Sequence, residues 1–449
     1  MEGILLEQVA VAFSAIPALD GVNLKIRPGE CVLLTGPCGC GKSTLLRLVN
    51  GMIPHVIPAN INGQVSINGI TPAKETLHRL GQQVATVYQN PRRQFFCADP
   101  LGELAFGSEN AGQEPDEILT RIIRIAERLG ISHLLECNMF TLSGGQLQRI
   151  AVGAALMDQP AFLLLDEPAS NLDIQSITAL TKILKSLRSS GITILIAEHR
   201  LWFLRDVVDR VIRLNRGKII EDLPASEFWL RDNSWRLKEG LRTLVEPQAT
   251  VLTGPPAGSD GVIYRHPKGT LYFPRSYITT LSGENGTGKS TLAARITGLE
   301  NTHDEILLDG KPFLRSQRLR RTFLVMQDVN RQLFSTDVAQ ELRTGRSTPS
   351  TQMLKNIIVD MELNDLLDMH PMALSGGQQQ RVVVALALLE QREVIIFDEP
   401  TSGLDYSGLE QVASRLKALA KVGAVVILIT HDEELSTMCS DFQIVVPAS

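Results

Sequence analysis

No uncharged apolar run in the sequence approaches the ~20 residues that a membrane-spanning helix requires. The longest candidates, Val382–Leu389 and Ala424–Thr430, are far shorter and read as a buried helix and a buried parallel strand. The N-terminal stretch MEGILLEQVAVAF has no basic region followed by a long apolar run, so no signal peptide is expected there. Any work at a membrane is therefore expected to run through a partner. A basic excess is missing as well: 44 Lys and Arg stand against 49 Asp and Glu, a net charge of -5. Proteins that grip nucleic acid by its phosphates usually carry a basic surface, so no nucleic-acid partner is expected. Cysteine is sparse. The six residues Cys31, Cys38, Cys40, Cys97, Cys137 and Cys439 form no C-x-x-C pair, which argues against a zinc ribbon or an iron–sulfur framework. Their scatter fits a reducing cytoplasm.

What is present is an ordinary folded composition, 44% apolar and 21% charged, organised by an internal repeat. GPCGCGKST at Gly36–Thr44 recurs as GENGTGKST at Gly283–Thr291, and LSGGQLQR at Leu142–Arg149 recurs as LSGGQQQR at Leu374–Arg381. FLLLDEP ending at Pro168 recurs as VIIFDEP ending at Pro400. Late spacings agree: Ser143 to Glu167 and Ser375 to Glu399 are both 24, and Glu167 to His199 and Glu399 to His431 are both 32. Early spacings differ, Lys42 to Gln89 being 47 and Lys289 to Gln327 being 38. Most of the first half's surplus falls in Ile53–Gly63, a Pro/Asn-rich loop. In each half apolar strands alternate with helical segments, which indicates a mainly parallel sheet covered on both faces. Between Gln89 and Ser143 the pattern turns helical, as in Glu117–Leu129, and an inserted helical subdomain is expected. The expected division is a first domain at 1–238, a linker at 239–261 and a second domain at 262–449.

Two segments carry phosphate chemistry. Gly36, Gly39 and Gly41 with Lys42, Ser43 and Thr44, and Gly283, Gly286 and Gly288 with Lys289, Ser290 and Thr291, form Gly-x4-Gly-Lys-Ser-Thr loops after an apolar strand. The glycines let backbone N–H groups turn toward a phosphate, and the following helix presents its positive end. The Lys supplies charge to the β- and γ-phosphates, and the Ser hydroxyl ligates Mg²⁺. Asp166-Glu167 and Asp398-Glu399 each end an apolar strand. There the Asp can hold Mg²⁺ through water, while the Glu takes a proton from the attacking water or orients it. The nucleotide expected is ATP with Mg²⁺.

The LSGGQ runs make each half resemble the ATP-binding cassette (ABC) family over nearly its whole length. Ser143 and Ser375 look like helix N-caps, and Gly144, Gly145, Gly376 and Gly377 allow close approach to a phosphate. The resemblance implies two tandem P-loop NTPase domains of the α/β class. Each has a mainly parallel core, a helical subdomain and a small antiparallel β subdomain. It further implies that Ser143, Gly144, Gly145 and Gln146, and likewise Ser375, Gly376, Gly377 and Gln378, contact the γ-phosphate held by the opposite cassette. One shared site then pairs Lys42 and Glu167 with Ser375, the other Lys289 and Glu399 with Ser143. Gln89 and Gln327 match the family's Q-loop, which senses metal and γ-phosphate. SNLD at Ser170–Asp173 and SGLD at Ser402–Asp405 match its D-loop, and His199 and His431 match its switch histidine. Adenine stacking needs an aromatic ring upstream of the loop; Phe13 fits in the first half and Tyr264 is the best choice in the second, where the antiparallel subdomain looks trimmed.

Further runs resemble a narrower group. QNPRRQFF at Gln89–Phe96, ELAFGSEN at Glu103–Asn110, NGMIPH at Asn50–His55 and MQDVNRQLF at Met326–Phe334 are similar to runs in energy-coupling-factor importers. Arg92 and Arg93 depart from that group, which commonly has an acidic and a polar residue there. This resemblance implies an ATPase motor at the cytoplasmic face of the cell membrane, peripheral to it. It would dock on a transmembrane coupling protein that works with a substrate-binding membrane protein to take up a vitamin, vitamin precursor or metal ion. Gln89–Asn110 is then expected to line the docking groove, with Glu103, Arg92 and Arg93 as its charges. The alternative is a soluble twin-cassette ATPase acting on ribosomes or DNA. Such proteins usually carry a long charged linker, a cysteine cluster or zinc modules, none of which is present. A regulatory scaffold without turnover would not need Glu167, Glu399, His199 and His431. Finally, Cys38 and Cys40 lie in the first phosphate loop where the second has Asn285 and Thr287, and Lys42 and the helix N-terminus should favour thiolate there.

Overall fold

The computed structural model describes residues 2–446 apart from 14–16, 171, 248–252, 257, 268, 284–285, 345–349, 375 and 402. The chain divides into two compact units, Met1–Glu246 and Pro247–Ser449.

In the first unit the sheet order is Val84–Val87, Phe162–Asp166, Thr193–Ala197, Cys31–Thr35, Arg210–Asn215 and Lys218–Pro224. The first five strands are parallel, and the last closes the edge antiparallel. Strand side chains alternate between faces. Leu33, Leu163, Leu165, Ile194 and Ile196 therefore enter one core, shared with the helices Pro115–Leu129, Gly144–Leu156 and Ile174–Ser189. Val32, Leu34, Leu164 and Leu195 enter the other, against the helix Lys42–Val49 and the antiparallel sheet of Pro17–Ile26, Ile4–Ala12 and Asn60–Ile67. With both faces buried, the strands are apolar throughout rather than alternating. Truncating the fully buried Leu33 to Ala would cost about 2–5 kcal/mol.

The helical insertion is present as Pro100–Asn110 and Pro115–Leu129. The second helix starts on a proline with Asp116 and Glu117 in its first turn, and ends on the left-handed Gly130. Ile118, Ile122, Ile125, Ala126 and Leu129 form its buried face. Two readings of the first half change. The stretch Ile53–Gly63 is not all loop, because the strand Asn60–Ile67 begins within it and Ile53 is buried. Leu241 and Leu244, which the sequence reading places in the linker, are buried in the first unit's core. Arg236 Nη1 fastens that segment by donating to the Leu241 carbonyl at 2.7 Å.

The second unit repeats the plan with a five-stranded parallel sheet: Thr322–Val325, Val394–Asp398, Val425–Ile429, Ile278–Ser282 and Phe442–Val445. The helix Gly376–Glu390 is buried along Val382–Leu389, as the apolar run predicts. Its antiparallel sheet is trimmed: Gly261–His266 and Gly269–Pro274 have 6 residues each, against 9 and 10 for Ile4–Ala12 and Pro17–Ile26.

Candidate nucleotide sites

Each phosphate loop joins the fourth strand of its sheet, an inner strand, to a helix, Cys31–Thr35 to Lys42–Val49 and Ile278–Ser282 to Lys289–Thr297. The glycines have specific reasons to be there. Gly36 and Gly41 sit at φ 143° and 109°, and a β-carbon would lie 2.1 Å from the Leu214 carbonyl oxygen and 2.7 Å from that of Ala18 respectively. A β-carbon on Gly39 or Gly286 would meet nothing within 4 Å, so this side of each loop is open. Lys42 folds back over its loop, its Nζ donating to the carbonyls of Gly36 and Pro37 at 3.1 Å each. Lys289 Nζ donates to the Gly283 carbonyl at 2.7 Å. Glu284 and Asn285 lie outside the described residues. Thr44 is half-buried, and Ser290 and Thr291 are exposed.

Ser43 Oγ donates to Asp166 Oδ1 at 3.0 Å, and Ser290 bonds Asp398 in the same way. Burial raises the carboxyl pKa of both aspartates, against the lowering influence of the serine hydroxyl and the nearby loop lysine. Among the described residues no group of three or more His, Cys, Asp or Glu could hold a metal. The donor set is one hydroxyl beside one carboxylate, all oxygen, which fits Mg²⁺ completed by phosphate oxygens and water.

Glu167 and Glu399 follow at φ 48° and 52°, left-handed backbone that is costly for a side chain bearing a β-carbon. Their N–H groups donate to the carbonyls of Ala197 and Ile429 at 2.8 and 2.9 Å, which holds each turn against the next strand. Gln89 Nε2 donates to Glu167 Oε2 at 2.7 Å. His199 is buried, its Nε2 3.7 Å from Glu167 Oε1 and 3.8 Å from Cys38 Sγ. Burial, then the positive charges of Lys42 and Arg242, hold its pKa well below the ordinary value, so the imidazole is neutral. In the second unit His431 Nε2 is 3.9 Å from Glu399 Oε1, and Gln327 is exposed.

Ser143 caps the helix Gly144–Leu156. Its hydroxyl accepts from Gln146 N–H at 3.3 Å, and Gln146 Oε1 accepts from Ser143 N–H at 2.8 Å. Gly144 is exposed, whereas Gly145 is buried, and a β-carbon there would lie 2.1 Å from Ser176 Oγ. In the second half Ser375 and Ser402 lie outside the described residues; Gly376 is exposed, and Gly377 and Gln378 are half-buried. Asp173 and Asp405 cap the helices that follow them.

Three expectations fail. Tyr264 cannot stack on adenine: it is 2% exposed within the second unit's core and donates its hydroxyl to Asp304. Phe13, by contrast, is 48% exposed, directly after the strand Ile4–Ala12. Cys40 is not a reactive thiolate, because burial raises its pKa more than Lys42 lowers it. Glu103 is not a surface charge. It is buried, and its Oε2 accepts from Phe96 and Cys97 N–H at 2.8 and 2.9 Å; Glu341 does the same for Phe334 and Ser335 at 2.8 and 2.7 Å. Arg92 is likewise engaged, donating Nη2 to the Leu142 carbonyl at 3.2 Å. Sequence reasoning also passed over Glu198 and Thr430, the residues directly before the two switch histidines. The signal was available as a mismatch between otherwise matching halves.

The fold and these loops define a phosphate-loop ATPase built twice in one chain. The model of the ABC transporter family matches residues 19–170 and 268–402, and the chain belongs to that family. An ABC transporter ATP-binding protein of Treponema denticola is 38% identical over 444 residues, covering 94% of this chain and 90% of the relative. One from Methanosarcina acetivorans is 31% identical over 494 residues, covering 94% and 80%. The Bacillus subtilis HMP/thiamine import ATP-binding protein YkoD is 30% identical over 470 residues, covering 95% and 86%. The protein is an ATPase that binds and hydrolyses ATP as an ABC transporter ATP-binding protein.

Proposed function

We propose that this ATPase drives uptake of a vitamin, vitamin precursor or metal ion through a separate transmembrane coupling protein, itself working with a membrane substrate-binding protein. Import is supported by the likeness to YkoD and by the energy-coupling-factor runs. No helix among the described residues is long and apolar enough to cross a membrane, which is consistent with a separate transmembrane partner. The observation that carries the reading is a repeated one. Phe96 and Phe334, seven residues after Gln89 and Gln327, are 76% and 83% exposed. Buried Glu103 and Glu341 each fix the backbone that presents them. An exposed aromatic on a rigid turn suits an interface anchor, and its placement beside the Q-loop would link docking to the nucleotide.

Within each cassette, Lys42 or Lys289 would turn from the loop carbonyls to the β- and γ-phosphates, and the open faces at Gly39 and Gly286 would receive them. Mg²⁺ held by Ser43 and Asp166, or by Ser290 and Asp398, would neutralise phosphate charge. Glu167 and Glu399 would orient the attacking water and take its proton, with His199 and His431 beside them. Gln89 and Gln327 would report the nucleotide's state to the docking turn. The test is partner capture. Phe96→Ala with Phe334→Ala should lower recovery of the transmembrane partner and uptake by about tenfold, with ATP hydrolysis by the isolated protein unchanged. Undiminished capture and uptake would overturn the reading.

A further inference from the structure

The two units hold the glutamates that follow Phe162–Asp166 and Val394–Asp398, Glu167 and Glu399, in different ways. In the first, Glu198 is fully buried at the end of the strand Thr193–Ala197. Its Oε1 accepts from the N–H groups of His199 and Arg200 at 2.8 and 3.0 Å, and its Oε2 accepts from Ala169 N–H at 3.1 Å. Arg200 Nη1 reinforces the join by donating to the carbonyls of Ala169 and Leu172 at 3.4 and 3.1 Å. The His199 N–H is thus directed to Glu198, and Glu167 is bonded across the site by Gln89 at 2.7 Å.

In the second unit Thr430 takes the place of Glu198. The His431 N–H goes to Glu399 Oε1 at 2.9 Å, and Thr430 Oγ1 donates to Glu399 Oε2 at 3.2 Å. Thr430 is itself fixed, accepting from Asp432 N–H at 3.0 Å, while Asp432 Oδ2 accepts from Thr401 Oγ1 at 2.9 Å. Both oxygens of Glu399 are therefore bonded by its own switch-histidine loop. Each donor occupies a position that the attacking water would need, so one must be released before a water can take its place.

We propose that the residue before the switch histidine sets the resting hold on the catalytic carboxylate, making the two cassettes unequal. Glu198 is a positioning residue that draws the His199 N–H away from Glu167, whose Oε2 accepts from the Q-loop amide of Gln89. Thr430 parks Glu399 on its own loop, so the second cassette turns over more slowly. The inference rests on the reading of Glu167 and Glu399 as the hydrolytic carboxylates.

The experiment uses the full chain with one cassette silenced at a time. Glu399→Gln leaves the first carboxylate, Glu167→Gln the second, and the double variant tests the reading itself by losing hydrolysis. With Glu167→Gln, Thr430→Val should raise kcat about threefold with KM for ATP within about twofold, while Thr430→Ser, which keeps the hydroxyl, should leave kcat unchanged. With Glu399→Gln, Glu198→Thr should lower kcat about threefold, whereas Glu198→Gln, which keeps an acceptor for the His199 N–H, should retain most of it. An unchanged or lower kcat for Thr430→Val at unaltered Tm would overturn the proposal. Should Thr430→Val lower Tm, the Glu198 arm decides. A loss confined to the Glu399→Gln background supports positioning, and an equal loss in both backgrounds overturns it. Hydrolysis surviving in the double variant would instead overturn the carboxylate reading, and this inference with it.

Discussion

Gln89 donates its side-chain amide to Glu167 across 2.7 Å, joining two loops that lie 78 residues apart in the chain. As the proposed sensor of metal and γ-phosphate beside Glu167, Gln89 should matter most in the transition state, and Gln89→Ala should lower kcat by roughly tenfold with a smaller change in KM. Gln327 is exposed, and Gln327→Ala should cost less. Steady-state phosphate release in chains with one cassette silenced checks both, and equal losses would contradict the difference in geometry.

Much of this was legible in the chain. The parallel core, the phosphate loops and the Asp-Glu strand ends follow from apolar runs and fixed spacings, because local geometry makes those residue types necessary. What stayed hidden depends on approach through space. Tyr264 has an aromatic at a plausible offset, but only the packed sheet shows that its ring faces the core. Glu103 reads as a surface acid until the turn at Phe96 folds back onto it. Cys40 neighbours Lys42 in sequence, and only burial decides which influence on its thiol prevails.

The buried His199 predicts a pH dependence of stability. Its folded pKa is depressed by burial first, then by Lys42 and Arg242. In the unfolded chain it titrates near ~6.5. Below that value the unfolded state binds a proton that the folded state refuses, so stability is full above about pH 7.5 and falls with decreasing pH. Thermal midpoints measured between about pH 7.5 and 5.5 should drop less for His199→Gln than for wild type. Parallel curves would remove His199 as the cause.

The two loop thiols should separate on alkylation. Cys40 is buried with a raised pKa, whereas Cys38 is half-buried with Sγ 3.8 Å from His199 Nε2. Mass mapping after limited iodoacetamide treatment should find Cys38 modified well before Cys40, with ATP protecting both. Cys38→Ser should confer resistance to inactivation. Labelling of Cys40 at the same rate would show that its burial is not maintained in solution.

Gly145 should tolerate no side chain in the packed state. With a β-carbon 2.1 Å from Ser176 Oγ and 2.7 Å from its Cβ, Gly145→Ala should destabilise the first unit by about 1–3 kcal/mol. Ser176→Gly removes both clashing atoms, so the double variant should recover part of the loss. A denaturant-based double-mutant cycle measures this coupling, and strict additivity would argue against the contact.

The left-handed backbone at Glu167 and Glu399 sets stability against function at two positions. Glycine would relax either turn by roughly 1 kcal/mol while deleting the carboxylate. A library selected only for thermal endurance should therefore accumulate glycine, and to a lesser extent asparagine, at both sites as turnover is lost. Enrichment of those residues under heat, and their purging under a demand for hydrolysis, would measure at each cassette how far durability has been given up for turnover.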